Sequence, residues 1–253
     1  MNAWLKHPWR VTGRLFWLSF EFLMAAFSYA AWCAFRPPEF SSTARARWLQ
    51  TSSRRLLRVF QIEIQFTGDI PSSGLLVCNH LSYLDILVIS ALTPCVFVAK
   101  RDVKNWPVIG WFATLAGTVF VDREQRAQTS RTVNEIEAAL HTGAVVVLFP
   151  EGTSSGGETI LPFKSSLLEP ATRPTHALTA GLVNYELRDG DVSEDICYWK
   201  DMTLMPHLVK LCSKRGVQAF VQFNPLPKAI GNRKQLARQL HAEVMRMKHA
   251  VAF

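Results

Sequence analysis

The chain has 253 residues, 49% of them hydrophobic, a length that suits one domain with a short appendage better than two full domains. Its 28 lysines and arginines exceed its 20 aspartates and glutamates, and the net charge of +8 favours a negatively charged partner: nucleic acid, an anionic membrane surface or a phosphorylated substrate. Nucleic acid is disfavoured, because the sequence contains no zinc-finger, RNP-like or Walker motif and no alternation of basic and aromatic residues.

A long apolar segment near the amino terminus predicts a membrane-associated helix. Residues 15–35 contain one charged residue, Glu21, and are long enough to cross the hydrocarbon core of a bilayer. A signal peptide is disfavoured, because the segment is long and aromatic and lacks a small-residue cleavage pattern. A buried helix of a soluble domain and a helix lying within one leaflet stay open as alternatives, the latter because Glu21 is costly at the bilayer centre.

The residues after Pro37 and Pro38 predict a second helix. Arginines alternate with apolar residues between positions 43 and 60, a pattern typical of a basic helix on a membrane surface and also of a solvated helix packed on a domain. Arginines are more numerous after the first segment than before it, which favours a main domain on the cytoplasmic side of the membrane. We therefore predict an anchor over residues 1–40 and a main domain over residues 41–253.

The main domain is predicted to be a single α/β domain with a mostly parallel or mixed sheet. Short β-branched runs alternate with helical periodicity, as expected for strands covered by helices on both faces. The predicted strands are residues 62–66, 75–78, 96–99, 117–121, 144–149, 177–183 and 217–223, and the predicted helices are residues 83–92, 106–115, 129–141, 203–213 and 232–249. Residues 152–159 and 188–201 are predicted to be loops.

His80 and Asp85 follow the second predicted strand. If Ser82 is the N-cap of the next helix, Asp85 occupies the third helical position, and His80 on the preceding turn can fold back towards its carboxylate. An aspartate that binds one imidazole nitrogen fixes the tautomer and leaves the other nitrogen as a general base. A capped helix beside an incidental histidine has the same sequence, so this segment alone leaves catalysis open.

A glycine-rich turn follows the strand predicted at 144–149. In the turn Pro150–Gly157, backbone N–H groups and the hydroxyls of Thr153 and Ser154 can hold an anion. Residues 152–156 also match the G-x-S-x-G motif of serine hydrolases, with Ser154 as the nucleophile. That rival is disfavoured, because the glycines and Pro162 that follow oppose the strand-turn-helix of a nucleophile elbow.

Two basic residues are further candidates for binding an anion. Arg123 comes just past the strand predicted at 117–121, at the kind of strand end where ligands bind in open α/β sheets, and its guanidinium suits phosphate or carboxylate. Lys164 follows the glycine-rich turn. A solvated surface position is the alternative for both.

Three segments together resemble the lysophosphatidic acid acyltransferase family of glycerolipid acyltransferases in order and approximate spacing. They are Asn-His-x-Ser-x-x-Asp at 79–85, Gly-x-Val-Phe-x-x-Arg at 117–123 and Phe-Pro-Glu-Gly-Thr-Ser-Ser at 149–155. The resemblance implies an α/β fold with an amino-terminal membrane-associated helical element. It also implies His80 as the general base with Asp85 as its orienting partner, and an acceptor site that contains Gly117, Arg123, Glu151, Gly152 and Thr153.

The activity implied by the resemblance is transfer of a fatty acyl chain from acyl carrier protein or coenzyme A to the free hydroxyl of an anionic lysolipid, in membrane phospholipid biosynthesis. The first expectation for the acceptor is 1-acylglycerol-3-phosphate. Residues 176–183 depart from the family, since they lack a proline that many relatives carry in a strand thought to shape the substrate pocket. Residues 161–171 and 197–203 look similar to a subgroup that includes lyso-ornithine lipid acyltransferases, whose acceptor anion would be a carboxylate.

No cofactor or metal is implied beyond the acyl thioester, because the histidines and carboxylates show no ligand spacing such as H-E-x-x-H. The five cysteines are odd in number and form no C-x-x-C pair, which argues against a disulfide framework or zinc cluster and favours small buried hydrophobic residues in a reducing compartment. A non-catalytic lipid-binding membrane protein that retains the fold is the rival from another class. An intact His80 and Asp85 speak against it.

Overall fold

A computed structural model of the chain describes residues 7–35, 42–121, 126–172, 176–227 and 232–250. In these residues one sheet contains seven strands in the order β1-β7-β6-β2-β5-β3-β4. The strands are β1 Ile62–Thr67, β2 Gly74–Cys78, β3 Cys95–Lys100, β4 Val119–Val121, β5 Val145–Leu148, β6 Leu178–Leu187 and β7 Val217–Leu226. The helices are α1 Pro8–Phe35, α2 Ser42–Phe60, α3 Leu84–Leu92, α4 Ile109–Leu115, α5 Arg126–His141, α6 Val192–Asp195, α7 Leu204–Ser213 and α8 Arg233–Ala250.

The sheet is mostly parallel, as predicted. Strands β6, β2, β5, β3 and β4 run in one direction, whereas β7 pairs antiparallel with β6 and β1 pairs parallel with β7. The carboxyl ends of β2 and β5, which are neighbours in the sheet, therefore lie at the same edge. The segments that follow these two strands meet there, and they carry His80 and Glu151.

Helices cover both faces of the sheet. Along β2, Leu76 and Cys78 belong to a core that includes residues of α2, α3 and α7, whereas Leu75 and Val77 belong to a second core with residues of α5 and α8. This alternation is the two-residue period of a strand that is buried on both faces. The predicted single α/β domain covered by helices is thus confirmed.

Backbone conformation explains the largest differences from the predicted boundaries. The strand predicted at 117–121 begins at Val119, because Gly117 has a φ of +79° and cannot pair as extended chain. The helix predicted at 106–115 begins at Ile109, because Val108 has a φ of +61°. The loop predicted at 188–201 contains the short helix α6, whose N-cap Asp191 accepts a hydrogen bond from the Glu194 backbone at 3.1 Å.

Helix α1 lies against the rest of the domain. Its buried face donates hydrogen bonds to the carboxyl end of α7, from Arg14 to the Cys212 carbonyl at 3.2 Å and from Arg10 to the Ser213 carbonyl at 2.8 Å. Glu21, the one acid in the apolar segment, is buried and bonded to Arg55 of α2 at 2.5 Å. The charge at Glu21 is therefore paired within the protein. The predicted boundary between anchor and main domain, at residues 40 and 41, lies outside the described residues.

The opposite face of α1 is apolar and exposed. Its large side chains are spaced by seven, four, three and four residues, which places them on one side of the helix: Trp9, Phe16, Phe20, Leu23 and Phe27. The stretch Pro8–Ala34 is long and apolar enough to cross a membrane by length and composition.

All five cysteines of the chain are free, and Cys33 on α1 is exposed, contrary to the expectation of burial, while the other four are buried.

Candidate active site

His80 and Asp85 form a hydrogen-bonded pair at the carboxyl end of β2. His80 Nδ1 lies 2.8 Å from Asp85 Oδ2, and the Asp85 side chain is fully buried whereas that of His80 is 22% exposed. The imidazole stacks on the ring of Phe149, with centroids 4.2 Å apart and planes 16° apart. Because Nδ1 faces a carboxylate, it carries the proton, and Nε2 is left with its lone pair. The predicted meeting of these two residues is confirmed.

Asn79 lets the chain leave the sheet just before His80. Its side-chain amide donates to the Val183 carbonyl at 2.9 Å and accepts from the Val183 N–H at 2.7 Å, so it pairs with β6 as a backbone peptide would. The main chain is then free to turn at His80 while the hydrogen bonding of β6 continues. Both the oxygen and the nitrogen of this buried side chain thus have a hydrogen-bond partner.

Asp85 accepts four hydrogen bonds. Oδ2 receives the Leu81 N–H at 2.7 Å and the Ser82 N–H at 3.0 Å in addition to His80, and Oδ1 receives the Tyr185 hydroxyl at 2.7 Å. These donors replace the water that a buried carboxylate loses, and they fix its orientation. The carboxylate is therefore held in place independently of His80.

The predicted N-cap at Ser82 is wrong in part. The N-cap position is Tyr83, and Ser82 Oγ is buried without a hydrogen-bond partner among the described residues. The carboxylate half of a capping box is present, since Asp85 accepts from the Ser82 N–H, but the reciprocal bond from the Asp85 N–H to the serine hydroxyl is missing, because that N–H donates to the Ser82 carbonyl at 3.0 Å. The Asp85 carboxylate also accepts hydrogen bonds from His80 and Tyr185, which no helix cap would require.

Tyr185 is a positioning residue that the sequence did not indicate, because it lies 100 residues from Asp85 in the chain. Burial, together with the neighbouring Asp85 carboxylate, holds the pKa of Tyr185 well above its usual value, so its hydroxyl stays protonated and donates. It completes a chain of hydrogen bonds from His80 through Asp85 to β6.

We expect Tyr185→Phe to lower kcat about tenfold with little change in KM, because Asp85 then loses a donor and orients His80 less firmly. The loss of a hydrogen bond to a charged group also lowers the free energy of unfolding by about 1.5–3 kcal/mol. Steady-state kinetics and thermal unfolding measure both effects. Tyr83→Phe is the matched control, since its partly buried hydroxyl bonds His207 at 3.0 Å rather than Asp85. An equal fall of kcat in both variants would contradict the role assigned to Tyr185.

Glu151 holds two segments of the site together. Its Oε1 accepts the His80 backbone N–H at 2.7 Å, and its Oε2 accepts the Leu161 N–H at 2.9 Å. Burial raises the pKa of Glu151 to about 7, against the opposing effect of these two hydrogen bonds. Both oxygens are thus used within the protein, which makes Glu151 a positioning residue, and its predicted contact with an acceptor stays a prediction.

The glycine-rich turn contacts the His80 segment through its backbone. The Ser155 N–H donates to the His80 carbonyl at 3.0 Å, and the Ser154 hydroxyl donates to the Tyr198 carbonyl. Residues 150–164 contain no helix. Ser154 therefore does not lie on the strand-turn-helix that a serine hydrolase needs, and the hydrolase alternative loses its structural basis.

The segment 197–203 forms one wall of the site. The Tyr198 N–H donates to the Leu81 carbonyl at 2.8 Å, next to the His80–Asp85 pair. The Trp199 ring lies so close to Gly156 that a Cβ there would be 2.6 Å from it, which requires glycine at that position. Trp199 and residues 154–159 line a shallow pocket, and Lys200 Nζ lies 3.7 Å from the centroid of the Trp199 ring.

Helix α8 supports the far side of this turn, which the sequence did not indicate. Lys248 donates to the carbonyls of Gly157 and Glu158, the second bond being 2.7 Å, and His241 Nε2 lies 3.1 Å from the Ile160 carbonyl. Lys248 and His241 are seven residues apart and so lie on one face of the helix. The pocket wall is therefore fastened to the carboxyl-terminal helix.

Three of the remaining predicted site residues, Gly152, Thr153 and Lys164, lie in the segment that follows β5, whereas Gly117 precedes β4. Thr153 is exposed, Gly152 has a φ of +77°, and the Lys164 side chain is exposed while its N–H donates to the Pro150 carbonyl at 2.9 Å. Gly117 contacts Arg45 of α2, since a Cβ there would lie 3.2 Å from Arg45 Cδ. Arg123 lies outside the described residues. The acceptor-binding roles of these five residues stay predictions.

Known proteins resemble this chain in sequence and in fold. A family model described as acyltransferase matches residues 61–179. A lyso-ornithine lipid O-acyltransferase from Rhizobium meliloti is 34% identical over 221 residues, which cover 79% of this chain and 75% of the relative. A 1-acyl-sn-glycerol-3-phosphate acyltransferase from Neisseria gonorrhoeae is 32% identical over 150 residues, 56% of this chain and 59% of the relative.

The crystal structure of the 1-acyl-sn-glycerophosphate (LPA) acyltransferase PlsC from Thermotoga maritima has the same fold. It superposes with a TM-score of 0.66 over 96% of this chain and 98% of that one, at 20% sequence identity. The matched region contains the His80–Asp85 pair and the turn at Glu151. With its family model, its relatives and its fold in agreement, the chain belongs to the acyltransferase family and is an acyltransferase.

Proposed function

We propose that this enzyme transfers a fatty acyl group from a thioester donor to the free hydroxyl of lyso-ornithine lipid. The observation that carries the chemistry is the 2.8 Å hydrogen bond between His80 and the buried Asp85, which leaves Nε2 of a partly exposed imidazole as a base. The acceptor is inferred from the lyso-ornithine relative, whose similarity extends over 79% of the chain, and from the segment 197–203, which resembles that subgroup and contributes Trp199 to the pocket.

The reaction needs one base and no covalent enzyme intermediate. His80 Nε2 takes the proton of the acceptor hydroxyl as its oxygen attacks the thioester carbonyl, and Asp85 stabilises the imidazolium that forms. The tetrahedral intermediate then collapses, the carbon–sulfur bond breaks, and the thiolate takes the proton from His80. The products are the acylated lipid and the free thiol of acyl carrier protein or coenzyme A.

A second acceptor, 1-acylglycerol-3-phosphate, is favoured by the relative from Neisseria gonorrhoeae, which shares the family region at nearly the same identity. An arginine such as Arg123 suits either a phosphate or a carboxylate. The two acceptors therefore differ in headgroup, while the chemistry at His80 is the same.

The experiment offers both lysolipids side by side to membranes that contain the wild type or His80→Ala, with the acyl carrier protein thioester and the coenzyme A thioester of a labelled fatty acid as donors. We expect acylated ornithine lipid from the wild type and none above background from the variant. Product from the phosphate acceptor alone would replace lyso-ornithine lipid by 1-acylglycerol-3-phosphate. Equal product from wild type and variant would remove His80 from the mechanism.

We further propose that α1 lies within one leaflet of the membrane rather than across it. Its buried face is bonded to α2 and α7, and its one acid, Glu21, is paired with Arg55, so the helix is docked to the domain along its length. Its other face presents a row of exposed aromatic residues, such as Phe16, which is 78% exposed. The arginine-rich α2 beside it favours anionic lipids and the cytoplasmic side.

We expect Phe16→Lys combined with Phe20→Lys to weaken binding to anionic phospholipid vesicles at least tenfold, because burying apolar side chains drives the binding of such helices. Vesicle co-sedimentation measures this. The control is Gln65→Lys, which adds positive charge at an exposed position of β1 and should bind as the wild type does. Unchanged binding by the double variant would contradict insertion of this face of α1.

A further inference from the structure

Three side chains that commonly bind metals converge at the edge of the sheet opposite His80. Glu137 and His141 lie on the last turns of α5, which leads into the amino end of β5. His176 comes two residues before β6, which runs parallel to β2. Since His80 and Glu151 follow the carboxyl ends of their strands, this cluster is separate from the active site.

The three potential ligand atoms lie close together. Glu137 Oε2 is 3.2 Å from His176 Nε2 and 3.8 Å from His141 Nδ1, and all three atoms lie within 4.8 Å of one another. Zn²⁺ binds imidazole nitrogen and carboxylate oxygen at about 2.0–2.2 Å, so ligand atoms about 3.3 Å apart suit one tetrahedral ion. The observed separations approach that value and need small side-chain movements.

The environment of the cluster favours a metal over a chance meeting of surface groups. The side chains of Glu137 and His176 are 10% and 12% exposed, whereas that of His141 is 70% exposed. Two of the ligands are thus held by packing, and the third covers them from the solvent side. Glu137 and His141 are four residues apart and share one face of α5.

We propose that Glu137, His141 and His176 bind one Zn²⁺ ion or a similar divalent transition metal. Two imidazoles and one carboxylate are a donor set that suits zinc, with water in the remaining position. His141 Nδ1 now lies 2.7 Å from the Glu137 carbonyl and donates to it. When a metal binds Nδ1, the imidazole takes its other neutral tautomer, with the proton on Nε2. That N–H can donate to water, because the side chain is 70% exposed.

The ion would join the end of α5 to the start of β6. These elements are distant in sequence, Glu137 and His176 being 39 residues apart, so an ion that binds only the folded chain stabilises it. At a free zinc concentration about 100 times the Kd, the melting temperature of a chain of this size should rise by about 5–10 °C. The effect concerns stability and leaves the chemistry at His80 unchanged.

The test uses the full chain, purified in detergent without a histidine tag and treated with chelator. Isothermal titration with ZnCl₂ and metal analysis after dialysis should give one ion per chain for the wild type. His176→Gln and Glu137→Gln should weaken binding at least tenfold and remove the zinc-dependent rise in melting temperature. His249→Gln, which removes an exposed histidine at the end of α8, should bind zinc as the wild type does.

The variant His141→Gln tests the site even if the variants of the two less exposed residues do not fold. If the two buried variants fold poorly in chelator, as judged by circular dichroism, His141→Gln still tests the site, because its side chain packs little. Absence of zinc binding by the wild type, or unchanged binding by His141→Gln in a folded chain, would overturn the proposal. The cluster would then be a hydrogen-bonded pair of His176 and Glu137 beside an incidental histidine.

Discussion

His80→Ala is expected to lower kcat by about 10²–10⁴ without unfolding the chain, because this range is typical for the loss of a general base. The variant loses the hydrogen bond to Asp85 and the stacking on Phe149, so its melting temperature should fall by several degrees, but the chain stays folded because Asp85 keeps three other donors. Initial rates of acyl transfer at saturating donor and acceptor measure the effect. His141→Gln, which removes an exposed histidine at the opposite edge of the sheet, serves as the control.

Asp85→Asn is expected to lower kcat by a comparable factor for a different reason. Asparagine has one oxygen where aspartate has two, so its NH₂ group would replace either Oδ2, where it faces His80 Nδ1 and the N–H groups of Leu81 and Ser82, or Oδ1, where it faces the Tyr185 hydroxyl. An NH₂ that faces Nδ1 stabilises the wrong tautomer, with the proton on Nε2. This variant should lower the melting temperature more than His80→Ala does, because the fully buried Asp85 accepts four hydrogen bonds and His80 accounts for one of them. Retention of more than about a tenth of wild-type kcat by His80→Ala would contradict its role as the base.

Glu151→Gln is expected to lower kcat by about 10–100-fold, because it displaces the base rather than removing it. Glutamine can accept only one of the two N–H groups that Glu151 accepts, and its own NH₂ then opposes the other. Because Glu151 Oε1 bonds the backbone of His80 itself, a small shift there displaces the base, and displacements of about 1 Å can cost 10²-fold in rate. Kinetics at saturating substrate separate this from weaker acceptor binding, which would raise KM.

The pH dependence distinguishes a role for the Glu151 carboxylate from a role for its shape. Because burial raises the pKa of Glu151 to about 7, the wild-type kcat should rise with pH through about 7 as the ionised form comes to accept both N–H groups. Glu151→Gln should lack this component. Glu169→Gln, at an exposed acid paired with Arg233, should keep the wild-type profile. Identical profiles for wild type and Glu151→Gln would contradict the assignment.

Stability should change with pH in the opposite direction. A carboxyl group whose pKa is higher in the folded than in the unfolded chain contributes stability below its unfolded pKa, and that contribution is lost as the pH rises through about 7. The ionised form of Glu151 thus serves catalysis best, whereas the fold favours the protonated form.

The strands and helices could be predicted because their determinants are local. Each predicted strand of the main domain is present, since runs of β-branched residues between turns specify strands that are buried on both faces. The predicted boundaries that are wrong depend on single backbone angles, such as the positive φ of Val108. A valine in the sequence gives no sign that the backbone adopts such an angle. The meeting of His80 and Asp85 was likewise predictable, because only five residues separate them.

The supports of the site could not be predicted, because they come from distant parts of the chain. Tyr185 and Lys248 lie 100 and about 90 residues from the groups they bond, and neither belongs to a motif. The position of α1 was similarly ambiguous, since an apolar helix of this length reads alike whether it crosses a bilayer or lies along a domain. The contact between Glu21 and Arg55 became visible only in three dimensions.

The amide of Asn79 places a strict demand on residue type. Aspartate is nearly isosteric with asparagine, yet it would set an oxygen against the Val183 carbonyl where an N–H₂ group now donates at 2.9 Å. The exchange of one atom thus turns a complementary pair into two opposing acceptors at the end of β2. A side chain at this position therefore needs more than the right shape and size. It must present a donor to the Val183 carbonyl and an acceptor to the Val183 N–H.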